Sequence, residues 1–166
     1  MNRIEVRLSD KAIKNGYFAS IFMIVLSAIC LVFLRNEILI VVIALALLLV
    51  GLYAILNLKK SKETIAYILD DIGLHINIGK GKYATIYWSN IEIEGHSLFR
   101  MNGVLHVSFN LKDVESYTRQ LSGLSKFTAK RFYGRLSGSE ASFPIENYNI
   151  SPEMFLETIG QGISSC

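Results

Sequence analysis

Two apolar runs, GYFASIFMIVLSAICLVFL at residues 16–34 and ILIVVIALALLLVGLYAIL at residues 38–56, decide how this chain is read. Neither contains Asp, Glu, Lys, Arg or His, and only Arg35-Asn36-Glu37 parts them. Each is 19 residues long. As a helix, each reaches about 28 Å. The hydrocarbon core of a bilayer is about 30 Å thick, so each run just crosses it. A connector of three residues forces the two helices to run antiparallel. The expectation is a transmembrane helical hairpin over residues 16–56, with no ionisable side chain in either span. That absence argues against a pump or transporter, whose ion paths are marked by such residues. Ser20, Ser27, Ala28 and Cys30 are small residues suited to close helix packing, either within the hairpin or between copies of the chain.

The charges around the hairpin give its direction. Arg3, Arg7, Lys11 and Lys14 precede the first span, and Lys59, Lys60 and Lys62 follow the second, while the connector holds only Arg35 beside Glu37. The positive-inside bias then places both termini in the cytoplasm. Tyr17 and Tyr53 fall at the same, inner interface. The basic flanks also explain the net charge of +3. Residues 1–62 carry eight basic and three acidic side chains, and residues 63–166 carry nine and eleven. The C-terminal part lacks the basic balance of a nucleic-acid-binding domain. Its length suits one domain of ordinary size. Cys30 lies within a span and Cys166 ends the sequence, so no structural disulfide is expected.

Residues 1–15 open with Ile4-Glu5-Val6-Arg7-Leu8, which alternates with the period of a half-buried strand. This segment is either an edge strand of the C-terminal sheet or a cytoplasmic tail. From residue 63 onward the pattern is one of short strands. Ile65–Leu69, Leu74–Ile78, Tyr83–Trp88, Ile91–Glu94, Val104–Leu111 and Ala141–Glu146 are parted by turns rich in Gly, Asn and Asp. On Val104–Leu111, the residues Leu105, Val107, Phe109 and Leu111 share one face. Pro144 marks an edge strand. Lys112–Leu121 reads as a short helix capped by Asn110 or Asp113, and Ser122–Ser125 as a loop. Ser151-Pro152-Glu153 starts a final helix with an N-cap, a proline at the first turn and an acid near the helix N-terminus. Phe155, Leu156, Ile159 and Ile163 form its apolar stripe. The fold class is therefore an α+β membrane protein: a transmembrane hairpin (16–34 and 38–56), then a cytoplasmic domain at 63–166. That domain is an antiparallel sheet or barrel of about seven strands closed by a C-terminal helix.

The turn Asp71-Ile72-Gly73-Leu74, the step Tyr87-Trp88-Ser89-Asn90-Ile91 and the strand Phe143-Pro144-Ile145 before the last helix carry a resemblance. The C-terminal part resembles a pleckstrin-homology-like (PH-like) domain. The whole chain is similar to a family of small bacterial membrane proteins with two spans before such a domain. The resemblance implies a bacterial inner membrane and no particular activity.

Candidate sites are sparse. His75 and His106 fall at outward positions of their strands, and His96 near a strand end, without metal spacing. Glu92 and Glu94 share a strand face, as solvated residues do. Trp88 is assigned to the core. No nucleophile, phosphate-loop or zinc motif is present, so neither a catalytic residue nor a metal or cofactor is expected. The candidate binding residues are basic: Lys80 and Lys82 on a glycine-flanked loop, and Lys126, Lys130, Arg131 and Arg135, interleaved with Phe127, Phe132 and Tyr133. Either group suits anionic lipid or an acidic partner. The expected function is a non-catalytic, membrane-anchored binding module that recognises a protein partner or a lipid headgroup, with the bilayer itself a partner and homo-oligomers allowed. The alternative is a membrane immunity protein that neutralises a secreted bacterial toxin.

Overall fold

A computed structural model describes residues 3–33, 37–79, 81–127, 129, 139 and 141–165, without the side chains of 93–96, 124 and 125. The chain divides into two units, one of residues 8–64 and one built from residues 1–7 together with 65–166.

The first unit is a helical hairpin. Helix α1 spans Asp10–Phe33 and α2 spans Ile38–Glu63, and both are long and apolar enough to cross a membrane. Each outruns its apolar run at the charged end. There, Lys62 lies 3.5 Å from Asp10 across the open end of the hairpin. Both side chains are exposed, so the pair adds well under about 1 kcal/mol. The seam is made of small residues. A Cβ at Gly16 would meet Leu58 Cδ2 at 2.8 Å, and one at Gly51 would meet Ile24 Cγ1 at 2.8 Å. Ser20 and Ser27 are buried there with Ala44. Their hydroxyls donate back to the carbonyls of Gly16 and Met23, at 2.8 and 2.7 Å. The serines therefore bring no unpaired polar atom into the seam. Ser20 and Ser27 thus serve contact within the hairpin, while Ala28 is exposed and Cys30 half-buried.

What the hairpin leaves outside is apolar. Phe18, Phe22, Val32, Phe33, Ile38, Leu39 and Leu49 are exposed, Phe33 and Ile38 at 77% and 81%. A core helix of a water-soluble domain buries such residues. Here only about a tenth of each apolar window is buried within the chain (11% in both).

The second unit is α+β. Four strands, β1 (Ile4–Arg7), β2 (Ile65–Leu69), β3 (Gly73–Gly79) and β4 (Lys82–Tyr87), form one antiparallel sheet in that order. A 3₁₀ turn at Trp88–Asn90 leads to β5 (Ile91–Met101), which pairs with β6 (Val104–Leu111) and then β7 (Ala141–Pro144) in a second sheet. Among the described residues no ladder joins the two sheets, so they do not close into a barrel. Helix α3 (Val114–Thr118) is capped by Asp113, whose side chain accepts from the Ser116 N–H. Helix α4 (Gly123–Phe127) lies where the sequence pattern suggested a loop. Helix α5 (Pro152–Ser164) begins at Ser151, which accepts from the Met154 N–H at 3.2 Å.

The inner faces of both sheets meet in one core with α5. Val6, Leu69, Leu74, Ile86, Val107 and Phe109 are fully or almost fully buried in it, with Phe155 and Ile159 from the helix. Tyr67 bridges the sheets: its hydroxyl donates to the Pro144 carbonyl at 2.9 Å, and its ring packs edge-on against Phe155 and Tyr148. Trp88 is 1% exposed and donates from Nε1 to the Asp70 carbonyl at 2.8 Å. The outward placement of His106 is corrected. His106 is buried and stacks on Phe99 with ring centroids 5.4 Å apart, and Ser108 beside it on that face is buried too. Alternation assigns a residue to a face, but it does not reveal whether a second layer covers that face.

Candidate functional site

The polar groups that sequence spacing did not bring together sit on the outer face of the four-stranded sheet. Register places Glu5, Ile68, His75 and Thr85 in one row across β1 to β4. His75 Nε2 lies 2.9 Å from Asp70 Oδ2, and its Nδ1 lies 2.8 Å from Thr85 Oγ1. An open cavity of about 220 Å³ is lined by these residues' neighbours Arg3, Ile68 and Tyr83 together with Asp70 and His75. Hydroxyl, imidazole and carboxylate in line are the parts of a nucleophilic relay. The same groups also carry bonds that hold the fold. Asp70 Oδ1 also accepts the amides of Ile72 and Gly73, at 3.0 and 3.2 Å, and so holds the β2–β3 turn. The Thr85 N–H donates to Gln120 Oε1 at 2.7 Å. His75 is therefore not a solvated outward histidine: its side chain is 19% exposed and bonded on both sides of the ring.

Burial alone would raise the Asp70 pKa, but the hydrogen bonds from His75, Ile72 and Gly73, with the charge of His75, outweigh it and hold it below 3.8. A depressed carboxylate stabilises the fold above its ordinary pKa and loses that contribution as pH falls through the folded value. Acid unfolding of the β unit is therefore expected to include a component below pH 3.8. Asp70→Asn, followed by circular dichroism, is expected to lack it and to be less stable at neutral pH. An unchanged acid limb would remove Asp70 from that role.

The basic candidates separate. Lys82 opens β4 and is exposed directly after Gly81, whose φ is +71°; Gly79, at the end of β3, has φ +99°. Lys126 is exposed on α4. Lys80, Lys130, Arg131 and Arg135 lie outside the described residues. Arg3 and Arg7 belong to the β unit, where both pair with Glu5, at 3.0 and 2.9 Å. Lys11 and Lys14 lie in the first turns of α1, and Lys59, Lys60 and Lys62 in the last turns of α2.

The sheet edges differ in a way that composition does not show. An unpaired edge offers rows of N–H and C=O groups to another strand, and proteins usually stop it. At β1, Asn149 accepts the Arg7 N–H at 2.8 Å and donates its own N–H to the Arg7 carbonyl at 2.9 Å. At β4, the Gln120 amide takes the N–H and carbonyl of Thr85 as a neighbouring strand would. Strand β7 is four residues long and ends in Pro144. The fourth edge, β5, is 11 residues long. The β5–β6 hairpin turns through Asn102 and Gly103, both at positive φ, with Met101 opposite Val104. Counting back from that pair, the backbone groups of Leu98 and Arg100 point away from β6. No described residue bonds to them. Leu98 is 48% exposed beside them. Arg100 and Glu146 pair at 3.0 Å, and Glu146 accepts the Leu105 N–H at 2.8 Å, which fixes the hairpin without covering its outer edge. Comparison with family models, curated proteins and solved structures gave no match.

Proposed function

We propose that this chain is a membrane-anchored, non-catalytic binding module. Its paired helices span the inner membrane of a bacterium with both termini and the β unit in the cytoplasm. The β unit is read as a PH-like domain, and it recognises a protein partner by accepting an extended segment along β5. The β5 edge at Leu98 and Arg100, open among the described residues, carries this reading, because its backbone groups are matched by another strand and the other three edges are stopped. The bonds from Asp70 Oδ1 to the Ile72 and Gly73 amides support a structural part for that carboxylate. The exposed apolar perimeter of α1 and α2 supports the anchor, and the basic flanks support its direction. Recognition of a lipid headgroup through Lys82 and its loop is the competing form, favoured by the exposure of that lysine next to the left-handed Gly81.

Added protease is expected to degrade the β unit in inside-out vesicles and to spare it in right-side-out ones; the reverse pattern would overturn the orientation. For the partner, a photo-reactive side chain at Ser97 is expected to give a protein adduct in cells. Leu98→Pro removes an N–H that points away from β6, so the β5–β6 ladder survives. It is expected to reduce the adduct at least tenfold without changing amide exchange in β6. Adducts to lipid from position 82, with none to protein from position 97, would replace strand addition by the headgroup form.

A further inference from the structure

In chain order, the hairpin separates the first strand of the β unit from all the others. β1 ends at Arg7 and α1 begins at Asp10, while α2 ends at Glu63 and β2 begins at Ile65. Arg7 and Ile65 are nevertheless ladder partners, as are Val6 with Tyr67 and Glu5 with Ile68. The hairpin is thus an insertion within the β1–β2 connection. β1 is not a dispensable fringe. Val6 is fully buried in the core, Ile4 packs against that core, and the Asn149 clamp holds Arg7 from the other side.

We infer that completion of the β unit is conditional on insertion of the hairpin with both its ends on one side of the membrane. This rests on the reading of α1 and α2 as spans. If only one helix crosses, or if a third crossing follows, residues 4–7 and 65–69 face different compartments and cannot pair. Tyr67 and Leu69 then lose the strand that covers their outer neighbour position, and β2 becomes an unstopped edge. The ladder therefore reads out the parity of crossings, and a mis-inserted chain presents an incomplete, protease-sensitive β unit.

The test uses the full chain in membranes, with Cys30 and Cys166 replaced by Ser and the pair Glu5→Cys, Ile68→Cys introduced at directly opposite ladder positions. Oxidation is expected to cross-link the two. A third leucine-rich span of about 20 residues, inserted after Glu37, is expected to abolish the cross-link and to speed proteolysis of the β unit at least tenfold. Val6→Asp in the two-span chain is expected to speed proteolysis similarly while the chain stays resistant to carbonate extraction. Absence of the cross-link in the two-span chain, or a Val6→Asp β unit as resistant as the unaltered one, overturns the inference. A cross-link that persists with three spans, in a chain that carbonate extracts, overturns the spanning reading instead.

Discussion

Trp88→Ala is expected to destabilise the β unit by about 4 kcal/mol, the range seen when a buried tryptophan is truncated. That is a large part of the roughly 5–15 kcal/mol that holds a typical domain together. The side chain is 1% exposed and sits where the 3₁₀ turn passes from one sheet to the other. Its ring is closed in by α5: a Cβ at Gly162 would lie 2.6 Å from Trp88 Cε2 and 2.9 Å from Nε1. Its indole N–H is the donor that satisfies the Asp70 carbonyl beneath the β2–β3 turn. Truncation therefore opens a cavity between helix and sheets and also leaves a carbonyl without its partner. Amide exchange in Tyr67–Leu69 is the measurement, because that strand lies at the centre of the core. The expected loss of protection is about a thousandfold, at one decade for each 1.4 kcal/mol. Trp88→Phe keeps most of the ring but loses the N–H, and is expected to cost about 1–2 kcal/mol. Protection unchanged in Trp88→Ala would mean that the contact between α5 and the turn does not hold the unit together.

How much of this was legible in the residues depends on the range of the signal. The two apolar helices follow from unbroken runs, and the strands at Ile65–Leu69 and Val104–Leu111 from alternation and their flanking turns. The caps at Asp113 and Ser151 are local, three residues from the amides they accept, so short-range chemistry suffices to see them. The Asp70–His75–Thr85 set is different. It joins residues 5 and 10 positions apart through a hairpin register. The glycines at 79 and 81 do mark that hairpin, and fixing its turn puts His75 opposite Thr85. Extending the strand pattern through the turn would have found the pair. The Gln120 and Asn149 edge caps had no such signal, since each acts 35 or more positions away. The same limit applied to β1. Its alternation was plain, yet its partner strand begins beyond the whole hairpin, and nothing local distinguishes a tail from an edge strand.

The distinction between close approach and backbone conformation leads to the second large effect, at Gly73. Gly73→Ala is expected to cost about 3 kcal/mol, at the upper end of overpacking penalties. A Cβ there falls inside contact distance of the Ile86 carbonyl oxygen, and lies 3.0 Å from the Ile86 carbonyl carbon and 3.1 Å from Tyr87 Cα. These are backbone atoms of β4. They can move aside only by opening the ladder at Gly73–Tyr87 and Leu74–Ile86, which is where β3 starts. The same shift strains the turn, because Gly73 gives its N–H to Asp70 Oδ1 and its carbonyl to the Asp70 N–H, both at 3.2 Å. Gly103 makes the contrast. Its φ is +80°, but a Cβ there meets nothing within 4 Å. Gly103→Ala is therefore expected to cost only the left-handed penalty, about 1–2 kcal/mol. Urea unfolding of the two variants, each followed by strand-specific amide exchange, gives the order directly. If Gly103→Ala proves the more damaging, the approach of β3 to the β4 backbone is looser than this packing requires. The Asp70 turn would then owe its shape to its own hydrogen bonds and not to the sheet beneath it.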